Sequence, residues 1–186
     1  MKLKSIASIA ASTLMLAALT PVVAQAQNNT GNVEFQGQIT SVSCRVQVDA
    51  NGLDRAVQLG DVSPLVFADG IGSASEFKEF DLYLSGDGCT DGSKAMVTFN
   101  NSGHIDPGTG NLRLIGPGSA TGVQIQILNN AEGNMEKIDL TKNDNQQVAE
   151  VSGNKALLKF KASYVATSTD ITEGLGNSNI DFMVSY

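Results

Sequence analysis

Apolar and polar residues alternate with a period of two along most of this chain, the pattern of a strand whose side chains point to opposite faces. From Gly31 to Ile39, the residues Gly31, Val33, Phe35, Gly37 and Ile39 fall on one face and Asn32, Glu34, Gln36 and Gln38 on the other. Shorter runs of the same kind are Arg45–Val48, Ala56–Leu59, Phe77–Leu84, Ala95–Phe99, Leu112–Ile115 and Val123–Ile127. Ile138–Leu140, Ala156–Tyr164 and Asn179–Tyr186 complete the set. Between them lie Gly, Pro, Asn and Asp clusters, such as Asp61–Gly72, Gly86–Cys89, Asn100–Gly110, Gly116–Gly118 and Thr141–Gln147, which read as turns and loops. Helical periodicity is weak throughout. Many short strands with regular turn signals predict an all-β fold, an antiparallel sandwich. No repeat of fixed period and no low-complexity segment is visible.

The N-terminus follows a different rule. Lys2 and Lys4 precede an apolar run from Ile6 to Leu19, followed by Pro21 and the small-residue site Ala24-Gln25-Ala26. This predicts a secretory signal peptide over residues 1–26, with a mature chain beginning at Gln27; the run is too short and wrongly flanked for a membrane span. The Gly31–Ile39 strand then becomes part of an N-terminal arm, residues 27–40, ahead of a domain over 41–186. Residues 27–186 number 160, enough for one domain with a sizeable core.

Charge and cysteine content narrow the classes. The 186-residue chain has 12 basic and 19 acidic residues, and leaving out Lys2 and Lys4 gives ten against nineteen, a net charge of −9. Nucleic acid and anionic membrane surfaces would be repelled. No apolar run after residue 26 approaches the ~20 residues that cross a bilayer. Two cysteines, Cys44 and Cys89, in an exported chain predict one disulfide. Their separation lacks the paired spacing of a zinc site, and no metal is expected.

Candidate catalytic chemistry is sparse. His104 is the only histidine, in a Gly- and Pro-rich loop, and reads as a solvated loop residue. No serine has a nucleophile-elbow context and no glycine-rich phosphate loop occurs. Gly86-Asp-Gly-Cys-Thr-Asp91 lacks the later bidentate acid of a calcium loop and reads as a turn. Asn28-Asn-Thr30 and Asn100-Asn-Ser102 match glycosylation sequons, which carry little weight on their own. The chain is expected not to be an enzyme and to need no cofactor.

Its last alternating run puts Ile180, Phe182, Val184 and Tyr186 on one face and reaches the final residue without a polar tail. Termini usually fray at the surface, so another strand is expected beside this one.

Taken in order, these features resemble the subunits of chaperone–usher fimbriae, particularly the type 1 fimbrial subunit family. The resemblance rests on the signal peptide, Gly31-x-Val33-x-Phe35-x-Gly37-x-Ile39, Cys44 with Cys89, and Val57-Gln-Leu-Gly60. It extends through Phe80-x-Leu82-x-Leu84, Gly122–Leu128, Phe160-x-Ala162-x-Tyr164 and the closing pattern from Gly174 to Tyr186. In the family one residue usually follows the closing tyrosine; here Tyr186 is last.

The resemblance implies an immunoglobulin-like sandwich that lacks its last strand. A groove lined by core side chains is then left open beside the C-terminal strand, here Ile180, Phe182, Val184 and Tyr186. A periplasmic chaperone would first lend it a strand. At an outer-membrane usher the arm of a neighbouring subunit would replace that strand, inserting Val33, Phe35, Gly37 and Ile39, with Gly31 as a further position. Gly37 is expected where the groove is shallow. Head-to-tail contacts that do not close a ring give an open filament at the cell surface, a fimbrium. A major shaft subunit is the expected role; a minor adaptor or terminator subunit and a free-standing secreted immunoglobulin-like binding module are the alternatives.

Overall fold

A computed structural model describes residues 44–49, 56–100, 103–132 and 135–186. The expected signal peptide and the arm, with Gly31, Val33, Phe35, Gly37 and Ile39, lie outside the described residues. Eight strands are described: β1 (Arg45–Val48), β2 (Lys78–Ser85), β3 (Lys94–Asn100), β4 (Leu112–Arg113), β5 (Val123–Asn129), β6 (Val148–Glu150), β7 (Lys155–Ala166) and β8 (Asp181–Ser185). One four-residue 3-10 helix, Pro64–Phe67, interrupts them. The fold is all-β, as the alternation predicts.

Two antiparallel sheets form, one in the order β1-β2-β7-β5-β4 and one in the order β6-β3-β8. Period-two patterning sets their inner faces. In the larger sheet Phe80 pairs with Phe160, Leu82 with Leu158 and Leu84 with Ala156, while Ile127 pairs with Ala162 and Ile125 with Tyr164. In the smaller sheet Val97 faces Val184 and Phe99 faces Phe182. Phe160 joins the two layers, stacked on Phe80 with ring centroids 5.4 Å apart and edge-on to Phe99 of the other sheet at 5.5 Å. Such offset and edge-to-face pairs add to the energy of burial. The residues around them, Leu82, Leu84, Val97 and Leu158, are almost completely buried.

The chain crosses between the sheets through a tight turn. β6 ends beside Val151, and Ser152 and Lys155 exchange backbone hydrogen bonds of 2.9 and 3.2 Å around Gly153 and Asn154. Both central residues are left-handed, with φ of 60° and 59°. That is the conformation of a two-residue hairpin turn, in which Gly and Asn cost least. The Cys44–Cys89 disulfide forms with a Cα–Cα separation of 4.8 Å and ties the start of β1 to the turn after β2.

Three sequence expectations are corrected here. Ala56–Leu59 is not a strand; its backbone joins neither sheet, although Val57 and Leu59 pack against the core. Ile138–Leu140 is not a strand either. Its two apolar side chains are fully buried, but its backbone is held piecemeal, Ile138 N–H on the Ile127 carbonyl and Leu140 N–H on the Gly110 carbonyl. β6, by contrast, was not expected: its three residues, Val-Ala-Glu, are too few to show a period.

Candidate functional site

A groove of about 1660 Å³ runs along one side of the sandwich. Its floor is the inner face of the larger sheet: Val48 of β1, Phe80 and Leu82 of β2, Ala162 and Tyr164 of β7, Val123, Ile125 and Ile127 of β5, and Leu112 of β4. One wall is the region of β8, with Ile180 and Phe182; the other is residues 56–63 with Pro64 and Phe67 of the 3-10 helix. Small-molecule pockets run to about 300–1,000 Å³, so this groove is larger than most.

Its β8 wall is a sheet edge. Among the described residues β8 pairs only with β3, and none of them pairs along its far side. The alternation within β8 turns Phe182 and Val184 toward the core, half-buried, and Met183 outward, 56% exposed. Of the four residues that sequence reading places in an acceptor strand, Ile180 and Phe182 line the groove. Val184 packs against the core beside them, while Tyr186 is 43% exposed and lies past the end of β8.

Residues 171–179, which lead into β8, form a strap over one end of the groove. It is fastened to the β4–β5 connection by backbone bonds, Leu175 N–H to the Gly118 carbonyl (2.8 Å), Ala120 N–H to the Leu175 carbonyl (3.0 Å) and Ile115 N–H to the Asn177 carbonyl (2.8 Å). Side chains add to these: the Ser178 hydroxyl donates to the Arg113 carbonyl and the Asn179 amide oxygen lies 2.8 Å from His104 Nδ1. The fit is close enough to require glycine. A Cβ at Gly174 would stand 2.5 Å from the Ala120 nitrogen and the Gly118 carbonyl oxygen. At Gly176 the neighbour is Tyr164, whose hydroxyl donates to the Gly176 carbonyl at 2.9 Å.

Polar groups are few on the floor. Burial, together with the Asp61 carboxylate across the groove, raises the pKa of the Tyr164 phenol. The charged residues of the lining are Asp61, Glu173 and Asp181, all exposed at the rim and all acidic. His104, the chain's one histidine, is spent on the strap.

Sequence reading named the β8 wall but not the floor, the opposite wall or the strap. Alternation in Val123–Ile127 and Ala156–Tyr164 shows which residues face inward. What it does not show is that these inward faces line one groove.

Comparison with known proteins agrees with this architecture. The fimbrial protein family matches residues 33–186. Long polar fimbria protein A of Salmonella typhimurium is 32% identical over 171 residues, spanning 92% of each chain. The type-1 fimbrial protein A chain of Escherichia coli K12 is 31% identical over 189 residues, spanning 100% of each. Among solved structures, a chaperone–usher pilus subunit from work on rod uncoiling superposes with a TM-score of 0.55 at 17% identity, covering 90% of this chain and 99% of that one. The P pilus rod subunit PapA gives 0.53 at 16% identity, covering 76% and 99%. This chain is a member of the fimbrial protein family.

Proposed function

We propose that this protein is a structural subunit of an adhesive fimbria, polymerised by donor-strand exchange along a chaperone–usher pathway, in the major shaft role. The observation that carries the proposal is a groove with an apolar floor running beside the edge of β8 that no described residue pairs. Open apolar surface costs roughly 25 cal/mol for each Å² left wet, and a free strand edge invites pairing. An extended strand satisfies both: its backbone pairs with β8 while alternate side chains enter the groove. The Gly31–Ile39 arm of a second copy has the matching alternation, with Val33, Phe35, Gly37 and Ile39 on one face.

In this reading residues 1–26 are a removed signal peptide, 27–40 the donor arm and 41–186 the acceptor domain. A periplasmic chaperone occupies the groove first, and an outer-membrane usher replaces it with the arm of the next subunit, so the product reaches the cell surface. Gly37 meets a shallow part of the groove, and Gly37→Trp should leave chaperone binding intact while reducing assembly. The shaft role is supported by one relative that is a major subunit by name, a probable major fimbrial subunit of Escherichia coli O157:H7 at 32% identity.

The test compares three periplasmically expressed forms by size-exclusion chromatography: residues 27–186, a copy lacking 27–37, and a copy with the arm's sequence fused after Tyr186. A stable monomer from the fused copy alone is the expected result. A stable monomer from the truncated copy would refute donor-strand completion and favour a free-standing binding module.

A further inference from the structure

Among the described residues, the groove's lining contains three charged side chains, Asp61, Glu173 and Asp181, and no lysine, arginine or histidine. All three are exposed, at the 56–63 wall, on the strap and at the start of β8. Their field reaches inward, since Asp61 contributes to the raised pKa of Tyr164 on the floor. A strand lying in the groove with its apolar side down presents its other side to solvent between these acids. In the chain's own arm that side is Asn32, Glu34, Gln36 and Gln38. Its single charge, Glu34, has the same sign as the rim.

On the reading of the groove as a strand acceptor, we propose that the acidic rim selects donor strands by the charge of their solvent-facing side. The preferred occupant is an extended segment with an alternating apolar face and a cationic outward face. Glu34 is then a specificity-determining residue that slows pairing of this chain with its own kind. Charges at such a rim act within about one Debye length, roughly 10 Å at 0.1 M salt, so the selection is strong in dilute buffer and fades in concentrated salt. It also gives an order of occupation: a cationic strand captures the groove ahead of the self arm, which succeeds it only when delivered at high local concentration.

The test uses the chain from residue 27, unfolded in guanidinium and diluted into buffer containing a synthetic peptide of residues 29–40, or the same peptide carrying Glu34→Gln or Glu34→Lys. Capture of peptide in a gel-stable complex is followed in 20 mM and 500 mM salt. Expected at 20 mM salt is a rate order of Lys above Gln above Glu, spanning about three- to tenfold as for a few exposed charge pairs. The span should collapse at 500 mM salt and in a chain carrying Asp61→Asn, Glu173→Gln and Asp181→Asn. It should persist in a control chain with three acids outside the groove neutralised, Asp87→Asn, Glu132→Gln and Glu150→Gln. Equal rates for the three peptides at low salt, or an equal loss of the span in both neutralised chains, would overturn the proposal while leaving the strand-acceptor reading standing. Capture of none of the peptides in either salt would refute that reading itself.

Discussion

The Tyr164 hydroxyl donates a 2.9 Å hydrogen bond to the carbonyl of Gly176, joining the groove floor on β7 to the strap that leads into β8. The contact is tight on the glycine side. A Cβ at position 176 would come within 2.2 Å of the Tyr164 oxygen.

Two substitutions therefore differ in kind. In the arm-fused monomer, Tyr164→Phe removes one hydrogen bond and should lower unfolding free energy by about 1 kcal/mol. Gly176→Ala forces the tyrosine or the strap to move and should cost more, and the double variant less than the sum because one clash is relieved. Urea denaturation midpoints check this; strictly additive effects would mean the two residues do not act on each other.

Neighbouring residues of β8 should respond oppositely. Phe182 lines the groove and is half-buried, whereas Met183 faces solvent. Phe182→Ser should destabilise the arm-fused monomer by about 2 kcal/mol, less than the ~3–5 kcal/mol of a fully buried phenylalanine truncated to alanine, and should reduce polymer yield. Met183→Ser should change both little. Similar losses from the two would place β8 in another register, because a slip of one residue exchanges its faces.

The Cys44–Cys89 bridge closes a loop with a sequence separation of 45. Replacing both cysteines by serine should cost about 4 kcal/mol on the chain-entropy scale and lower the recoverable periplasmic yield. An unchanged denaturation midpoint in the fused monomer would show that the bridge adds nothing to folding.

Acid should weaken the loop beneath the strap. Asp106 accepts from Arg113 Nε at 3.1 Å and from the N–H groups of Gly108 and Thr109 at 2.9 and 3.1 Å. The Arg113 bond above all holds its carboxyl below the ordinary value of 3.8. A depressed pKa in the fold means that this stabilisation is full above the unfolded value and is lost as pH falls through the folded one. Melting temperature should thus fall as pH drops below about 4, and Asp106→Asn should flatten that slope. An NMR titration placing Asp106 at or above 3.8 would contradict the geometry.

The two sheets are largely legible from alternation, because β2, β3 and β8 each present a strict inner face and β5 and β7 alternate over their first halves. Errors arise where burial and pairing part company. Ile138 and Leu140 alternate because both plug the core, but their backbone is bonded to two separate segments, β5 and the loop before β4. Val57 and Leu59 alternate because they pack beside the groove, where they pair with neither sheet. The groove itself was half legible. Periodicity assigns a side chain to a face, yet whether that face is covered depends on contacts between distant segments. The strap is the clearest case, since Gly174 and Gly176 reveal their purpose only next to Gly118 and Tyr164.

The disulfide has a mechanical meaning as well. In the proposed filament the donor arm runs by covalent continuity into Cys44, whose sulfur is bonded to Cys89 just beyond the end of β2. A pull on the arm enters the domain at that crosslink before it loads the four-residue β1. Tension is thereby passed at once to the turn after β2, whose eight residues pair along β7 at the centre of the larger sheet. A filament built of such units would carry strain through covalent bonds and a central sheet, sparing its short edge strand from being peeled away.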